Sequence, residues 1–388
     1  MKFKIPFRAI VAAFLTVFVC GSVIAAYSLK SIYGAIPVKL AAKLSEISRV
    51  VDSQYYFEAD EGVVEHGIAT GYMSSIGDKY SAYYSKDTAT LLKNKYSGNS
   101  HGIGMLCVNT KESEIYVWRV YSGGSADIAG LKSGDIITHI KGEMVSEIGY
   151  QKAVKKLQGK SGKTTKITYL RNGISKTVKV TFGDYDVQSV FYNKITKEIG
   201  YIQITDFNSK TSLQFQNGVE ELQKQGAKKF IIDLRHNGGG TMDSAAKILD
   251  YLLPSGDIIH VKNEKGEISV RNRSDEKCIK APIVILVDGE SASASEIVVS
   301  AMKDFNAATI MGTKTFGKSL IQRTHTLKDG SMIKLTVGEY VKADGSSYNG
   351  IGLNPDISLT PSYSNDYEYY FMAQDADSML KSAIAQLS

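Results

Sequence analysis

Cysteine is scarce in this chain. Only Cys20, Cys107 and Cys278 occur, too few for a disulfide framework, and Cys107 and Cys278 are expected to be free, buried thiols. The six histidines are scattered. No Cys/His cluster has metal-ligand spacing and there is no His-Glu-x-x-His, so neither a metal nor a cofactor is expected. Surplus charge is also small. The net charge is +6, but Lys2, Lys4, Arg8 and Lys30 fall in a stretch without acids, and the remainder balances to about neutral. That gives nucleic-acid binding little support. With 43% hydrophobic and 22% charged residues, the rest reads as ordinary globular protein in two or three domains.

Charge is wholly missing from Ala9 to Leu29. At about 1.5 Å per residue such a run spans a bilayer as a helix. Lys2, Lys4 and Arg8 precede it, which would keep that end cytoplasmic and place the rest outside. Residues 1–30 are therefore read as an uncleaved membrane anchor. A cleaved signal peptide is the other reading, since Val23-Ile-Ala-Ala26 offers small residues. Phe18-Val19 before Cys20 does not form a lipoprotein cleavage box.

Residues 37–96 read as helical, with Leu40, Leu44, Ile47, Val50 and Val51 at helical spacing, then Val63, Val64, Ile68 and Met73. Asp78-Lys-Tyr-Ser-Ala-Tyr-Tyr84 reads as an aromatic turn. Residues 97–183 form a second unit, with strands predicted at Ile115–Val120, Asp135–Ile140, Thr165–Leu170 and Lys176–Phe182, and a helix at Tyr150–Leu157. Residues 184–361 alternate strands (Ile199–Thr205, Phe230–Leu234, Ile283–Val287, Ala308–Met311, Ile333–Tyr340) with helices (Leu213–Gln225, Met242–Leu253, Ser293–Lys303). That alternation indicates a layered α/β domain. Residues 362–388 form a Tyr- and Asp-rich tail ending in a short amphipathic helix.

Three elements carry chemistry. Ser291-Ala-Ser-Ala-Ser-Glu296 follows a buried strand and opens a helix. Its serines can be helix caps, with Glu296 completing a capping box, but the alanines leave room beside a hydroxyl for a substrate. Thr315-Phe-Gly-Lys318 places a lysine among apolar neighbours, 25 positions after Ser293. A lysine acts as a base only when neutral, about 0.1% of the time at its ordinary pKa, and desolvation raises that share. Gln322 stands where its amide oxygen would fix the amine. Phe230-Ile-Ile-Asp-Leu-Arg-His-Asn-Gly-Gly-Gly240 runs a strand into glycines whose N–H groups can face an anion. No Gly-Lys-Ser/Thr follows, so a phosphate loop is a poor reading.

Together these motifs resemble the carboxyl-terminal processing peptidases, S41 serine peptidases with a PDZ domain, over about residues 37–361. The resemblance implies an α/β multidomain chain with a helical dimerisation segment (37–96), a PDZ domain (97–183) and a crotonase-like peptidase core (184–361). It assigns the nucleophile to Ser293, the general base to Lys318, its support to Gln322 and the oxyanion donors to the Gly239 and Ala294 N–H groups. Asp304 matches a supporting acid. Gly102, Ile103 and Gly104 would form the nest for a substrate's C-terminal carboxylate, and Arg171 matches an arginine that signals PDZ docking. Two departures are Ser319, where the family usually has glycine, and Asn237-Gly-Gly-Gly240, where it often has Asn-Pro-Gly-Gly.

The resemblance implies a membrane-bound extracytoplasmic endopeptidase. Unfolded or apolar protein C-termini would be its substrates, a homodimer its assembly, and a regulatory protein a possible partner. Two other classes stay open: an inactive peptidase-like PDZ scaffold, and a crotonase-like acyl-CoA hydrolase.

Overall fold

The computed structural model describes residues 36–388. The proposed anchor, residues 1–30, lies outside the described residues. Among the described residues, no helix is long and apolar enough to cross a membrane. The chain divides into two compact units at Tyr72/Met73. In the first, Val38–Gln54 is a helix that buries no residue, and Val38, Ile47 and Val50 are exposed. A second helix, Glu61–Ser75, begins there.

In the second unit, the stretch expected to be helical up to Tyr96 contains a strand. Asp78 Oδ1 accepts from Tyr80 N at 3.0 Å, and Asp78 Oδ2 accepts from Ser81 Oγ. This turn leads into Ala82–Tyr84, which runs antiparallel to Met332–Val341 with Ala82 opposite Lys334. The helix Lys86–Ser97 follows, capped by Ser85 and ended by Gly98 at φ 70°. Three residues between two helical patterns leave too short a run for period-2 alternation to register.

Next comes an antiparallel sheet in the order Met105–Asn109, Ile115–Val120, Ile136–Ile140, Thr164–Arg171, Ile174–Thr181. Ile115, Val117, Ile137, Ile140 and Ile167 are fully buried beneath it and pack with Ala153 of the Tyr150–Lys156 helix. Met105–Asn109 is an edge strand, bonded in this sheet only to Ile115–Val120.

The third layer is a six-stranded sheet: Val190–Lys194, Ile199–Ile204, Lys229–Asp233, Ile283–Val287, Thr309–Gly312, Ile357–Ser358. All pairs but the first are parallel. An inner strand such as Ile283–Val287 reads as an unbroken apolar run because both its faces are covered. Ile202, Ile204, Phe230, Ile232, Ile283, Ile285 and Val287 point to the helices Thr211–Lys224, Met242–Leu252 and Ala294–Asp304. Residues of the other parity, Ile199, Tyr201, Ile231, Val284 and Leu286, point to the other face. There the end of the tail, the helix Ser378–Leu387, buries Met379, Leu380, Ala383 and Leu387. A second, antiparallel sheet joins Gly256–Lys262, Ile268–Ser274, Leu320–Thr326 and Met332–Val341 with the Ala82–Tyr84 strand.

The tail also locks onto the sheet by charge. Arg235 bonds Asp233 and Asp377, each at 2.6 Å through Nη2, and all three are at most 4% exposed. Its aromatic part reaches the Ile115–Val120 strand: Phe371 stacks on Tyr116 at 4.1 Å and Tyr370 meets Trp118 at 4.9 Å. Arg235→Ala would leave two buried carboxylates without their cation. Losing one partner of such a cluster costs about 3–5 kcal/mol, so urea unfolding of the full chain should show a midpoint lowered to match.

Candidate active site

Strand Ile283–Val287 delivers the chain to a tight turn, Asp288–Ala292, and Ser293 precedes the helix Ala294–Asp304 at φ 55°, ψ −112°. Positive φ is uncommon for a residue with a side chain and persists only where the surroundings hold it. The surroundings here are the neighbouring serines. Ser291 Oγ donates to Leu234 O at 2.8 Å and Ser295 Oγ to Asn237 O at 2.9 Å, and both are fully buried. Ser293 alone of the three is partly exposed. Two serines hold the turn, and the middle one presents its hydroxyl.

The glycine loop lies against this turn. Asn237 is buried; its O accepts from Ala292 N at 3.0 Å, and its Nδ2 donates to Ile204 O at 2.7 Å. Gly239 has φ 94°, and a Cβ there would sit 2.6 Å from Ala292 O and 2.7 Å from Ala294 N. No other residue fits, and the two expected oxyanion donors stand side by side. They differ in state, however. Ala294 N–H is at the first turn of a helix, where no intrahelical acceptor exists. Gly239 N–H donates to Asn237 Oδ1 at 2.9 Å.

Glu296 joins this turn to the lysine. Its carboxylate is fully buried. Oε2 accepts from Ser293 N at 3.0 Å and from Lys318 N at 2.8 Å; Oε1 accepts from Thr315 Oγ1 at 2.6 Å and Gly317 N at 2.7 Å. Ser293 and Lys318 thus hang from one oxygen atom. Burial pushes the Lys318 amine below the ordinary lysine pKa, the ammonium groups of Lys334 and Lys95 push the same way, and Glu296 opposes them. Its Nζ lies over the Tyr80 ring, 4.9 Å from the centroid, and is not hydrogen-bonded to Ser293 Oγ.

The remaining expected residues are placed as follows. Gln322 does not hold the amine: its Nε2 donates to Leu320 O at 2.9 Å, at a bulge in the Leu320–Thr326 strand. Ser319 is buried and donates to Glu339 at 2.9 Å, a use that glycine cannot supply. Asp304 stands at the far end of the helix from Ser293 and accepts from Ala343 N at 3.1 Å. Gly102 and Gly104 have φ 146° and 79°, and Ile103 between them is 3% exposed. Beside them, Tyr150 OH donates to Cys107 O at 3.0 Å on the edge strand. Arg171 is held within its own sheet unit by Asp135 at 2.6 Å and by Gly130 O. The arginine that reaches the core is Arg119, whose Nη2 donates to Gln203 Oε1 at 3.0 Å. Sequence reasoning passed over Arg119, Asn237 and Tyr80. Asn237 beside three glycines was a usable signal; Tyr80, in a turn more than 200 positions from Lys318, gave none.

No group of His, Cys, Asp and Glu among the described residues could hold a metal. The chemistry on offer is a hydroxyl at a helix N-terminus, an amine with a depressed pKa, and backbone donors beside them. Glu296→Gln would retain one acceptor oxygen for four buried donors. The orphaned donors should cost at least about 2 kcal/mol, measured as a lower denaturation midpoint.

Residues 198–359 match the model of peptidase family S41, and residues 92–170 match that of the PDZ domain. Probable CtpA-like serine proteases of Staphylococcus aureus (strain N315) and Staphylococcus haemolyticus (strain JCSC1435) are 33% and 31% identical over 326 residues. The match covers 83% of this chain and 65% of each relative, so the chain spans about two thirds of their length. A putative S41 protease from Bacteroides fragilis NCTC 9343 shares the fold, with a TM-score of 0.55 and 17% identity over 86% of this chain and 92% of that one. The chain therefore carries an S41 peptidase domain with a PDZ domain ahead of it.

Proposed function

We propose that the protein is a carboxyl-terminal processing endopeptidase working through Ser293 and Lys318. The observation that carries this is the Glu296 carboxylate. It fixes the turn bearing the partly exposed serine and the loop bearing the depressed lysine to one atom. Ser293 Oγ attacks the scissile carbonyl while Lys318 Nζ takes its proton. Lys318 then gives that proton to the leaving amine, and water, deprotonated in turn by Lys318, releases the acyl group. Ala294 and Gly239 N–H groups stabilise the oxyanion. Gly239 can do so only after giving up Asn237 Oδ1.

The PDZ domain recruits unfolded or apolar C-termini along the Met105–Asn109 edge, with Gly102–Gly104 taking the carboxylate. A contact route supports gating by this domain. Trp118 meets Tyr370 of the helix Asp366–Phe371, and Tyr369 of that helix stacks on His236 at 3.8 Å. His236 lies three positions before Gly239. Gln322 and Arg171 would enter only after rearrangement from their present partners. The charge-free run Ala9–Leu29 behind Lys2, Lys4 and Arg8 supports a membrane anchor with the peptidase outside. The exposed apolar residues of Val38–Gln54 support a homodimer.

Ser293→Ala and Lys318→Ala should each lower cleavage of an unfolded protein at least about 10³-fold. Lys318→Arg should not restore it, because guanidinium stays protonated. Full cleavage by Ser293→Ala would remove the assignment. For the wild type, the competent form is the free amine, so kcat/KM should rise with pH and reach half its plateau below the 10.5 of an ordinary lysine. A rate that falls over that range would exclude Lys318 as the base.

A further inference from the structure

The setting of Lys318 disfavours its charge, yet its ammonium has found an attractive partner. Nζ stands 4.9 Å from the Tyr80 ring centroid, where the negative face of the ring quadrupole draws a cation. Tyr80 is held there from both sides. Its N–H bonds Asp78 Oδ1 at 3.0 Å, and Ser81 Oγ, bonded to Asp78, accepts from Thr336 N at 3.0 Å. The strand that follows then zips onto Met332–Val341.

We propose that Tyr80 is a positioning residue that holds protonated Lys318 on its ring face, apart from Ser293 Oγ, and releases it on deprotonation. The ring attracts ammonium and not a neutral amine. When Nζ gives its proton to solvent, the attraction ends, and the freed lone pair can accept the hydrogen bond of the Ser293 hydroxyl. The proton that must leave to create the base is the same one that keeps the side chain away. The charged groups facing Nζ are Lys95 on the Lys86–Ser97 helix, Lys334 on the Met332–Val341 strand and Glu296 on the Ala294–Asp304 helix. The first two favour release and the third opposes it. This proposal rests on the Ser293–Lys318 reading for its release step, but the ring contact can be measured without it.

The test compares wild type, Tyr80→Leu and Tyr80→Phe in the full chain carrying Ser293→Ala, so that cleavage plays no part. An amine-acylating reagent is applied across a pH series, and labelling at Lys318 is followed by peptide mass spectrometry. Leucine keeps an apolar cover without a quadrupole, while phenylalanine keeps the ring face. Tyr80→Leu should lower the labelling midpoint of Lys318 by about 0.5–1 pH unit, and Tyr80→Phe should leave it unchanged. With Ser293 restored, the rising limb of kcat/KM should move down by the same amount in Tyr80→Leu alone. Coincident profiles for wild type and Tyr80→Leu would overturn the proposal. So would an equal shift in Tyr80→Phe, which would assign the effect to the hydroxyl. If Tyr80→Leu does not fold, as judged by circular dichroism, Tyr80→Met supplies the same comparison. Wild-type cleavage by Lys318→Ala would overturn the release step together with the peptidase reading, and the labelling would still decide the ring contact.

Discussion

A single buried carboxylate organises the region around Ser293 and Lys318. Glu296 has no salt-bridge partner within the described residues; three backbone N–H groups and one hydroxyl solvate it instead. Burying a charge this way is tolerable only when every acceptor site is used, so each donor is held as firmly as the charge is costly. The turn that carries Ser293 and the loop that carries Lys318 come from opposite sides of the Thr309–Gly312 strand in sequence. A backbone bond joins them as well, since Phe316 N donates to Ser291 O at 3.1 Å. The positive φ of Ser293 and the position of the Lys318 backbone both depend on Glu296 staying in place.

The PDZ domain meets the tail helix through aromatic rings, while Arg171, the arginine that the family resemblance pointed to, is bonded within its own domain. Tyr116 and Trp118 on its second sheet strand face Phe371 and Tyr370, and Tyr369 bonds Gln203 and stacks on His236. Arg171 meanwhile neutralises the fully buried Asp135 inside its own domain.

Much of this was legible in the sequence. Strands buried on both faces, such as Ile283–Val287, announce themselves as apolar runs, and their bounds were matched closely. The strands Gly256–Lys262, Ile268–Ser274 and Leu320–Thr326 were missed. Ile268–Ser274 is mostly exposed and polar, and Leu320–Thr326 has lost its alternation to a bulge. Motif and spacing pointed to Ser293 and Lys318, and the fold brings the N–H groups of both to one Glu296 oxygen. The capping-box reading of Glu296 was true as far as it went, since Ser293 N does bond it, but a local pattern could not reveal the two further N–H groups and the hydroxyl arriving from about 20 residues downstream. Gln322 was assigned by its spacing from Lys318. Strand geometry sent its amide to Leu320 instead, because a bulge changes which way successive side chains point.

The helix Ser378–Leu387 closes the second face of the parallel sheet, and Asp377 just before it completes the shell of Arg235. During synthesis, every strand of that sheet leaves the ribosome before its cover does. Until then Ile199, Ile231, Val284 and Leu286 remain wet, and Arg235 lacks one of its two carboxylates. The turn that carries Ser293 grows directly out of one of these strands. The sheet that carries this turn is therefore covered on both faces only once residues 377–387 have been made, so the packing around Ser293 is completed by the last helix of the tail.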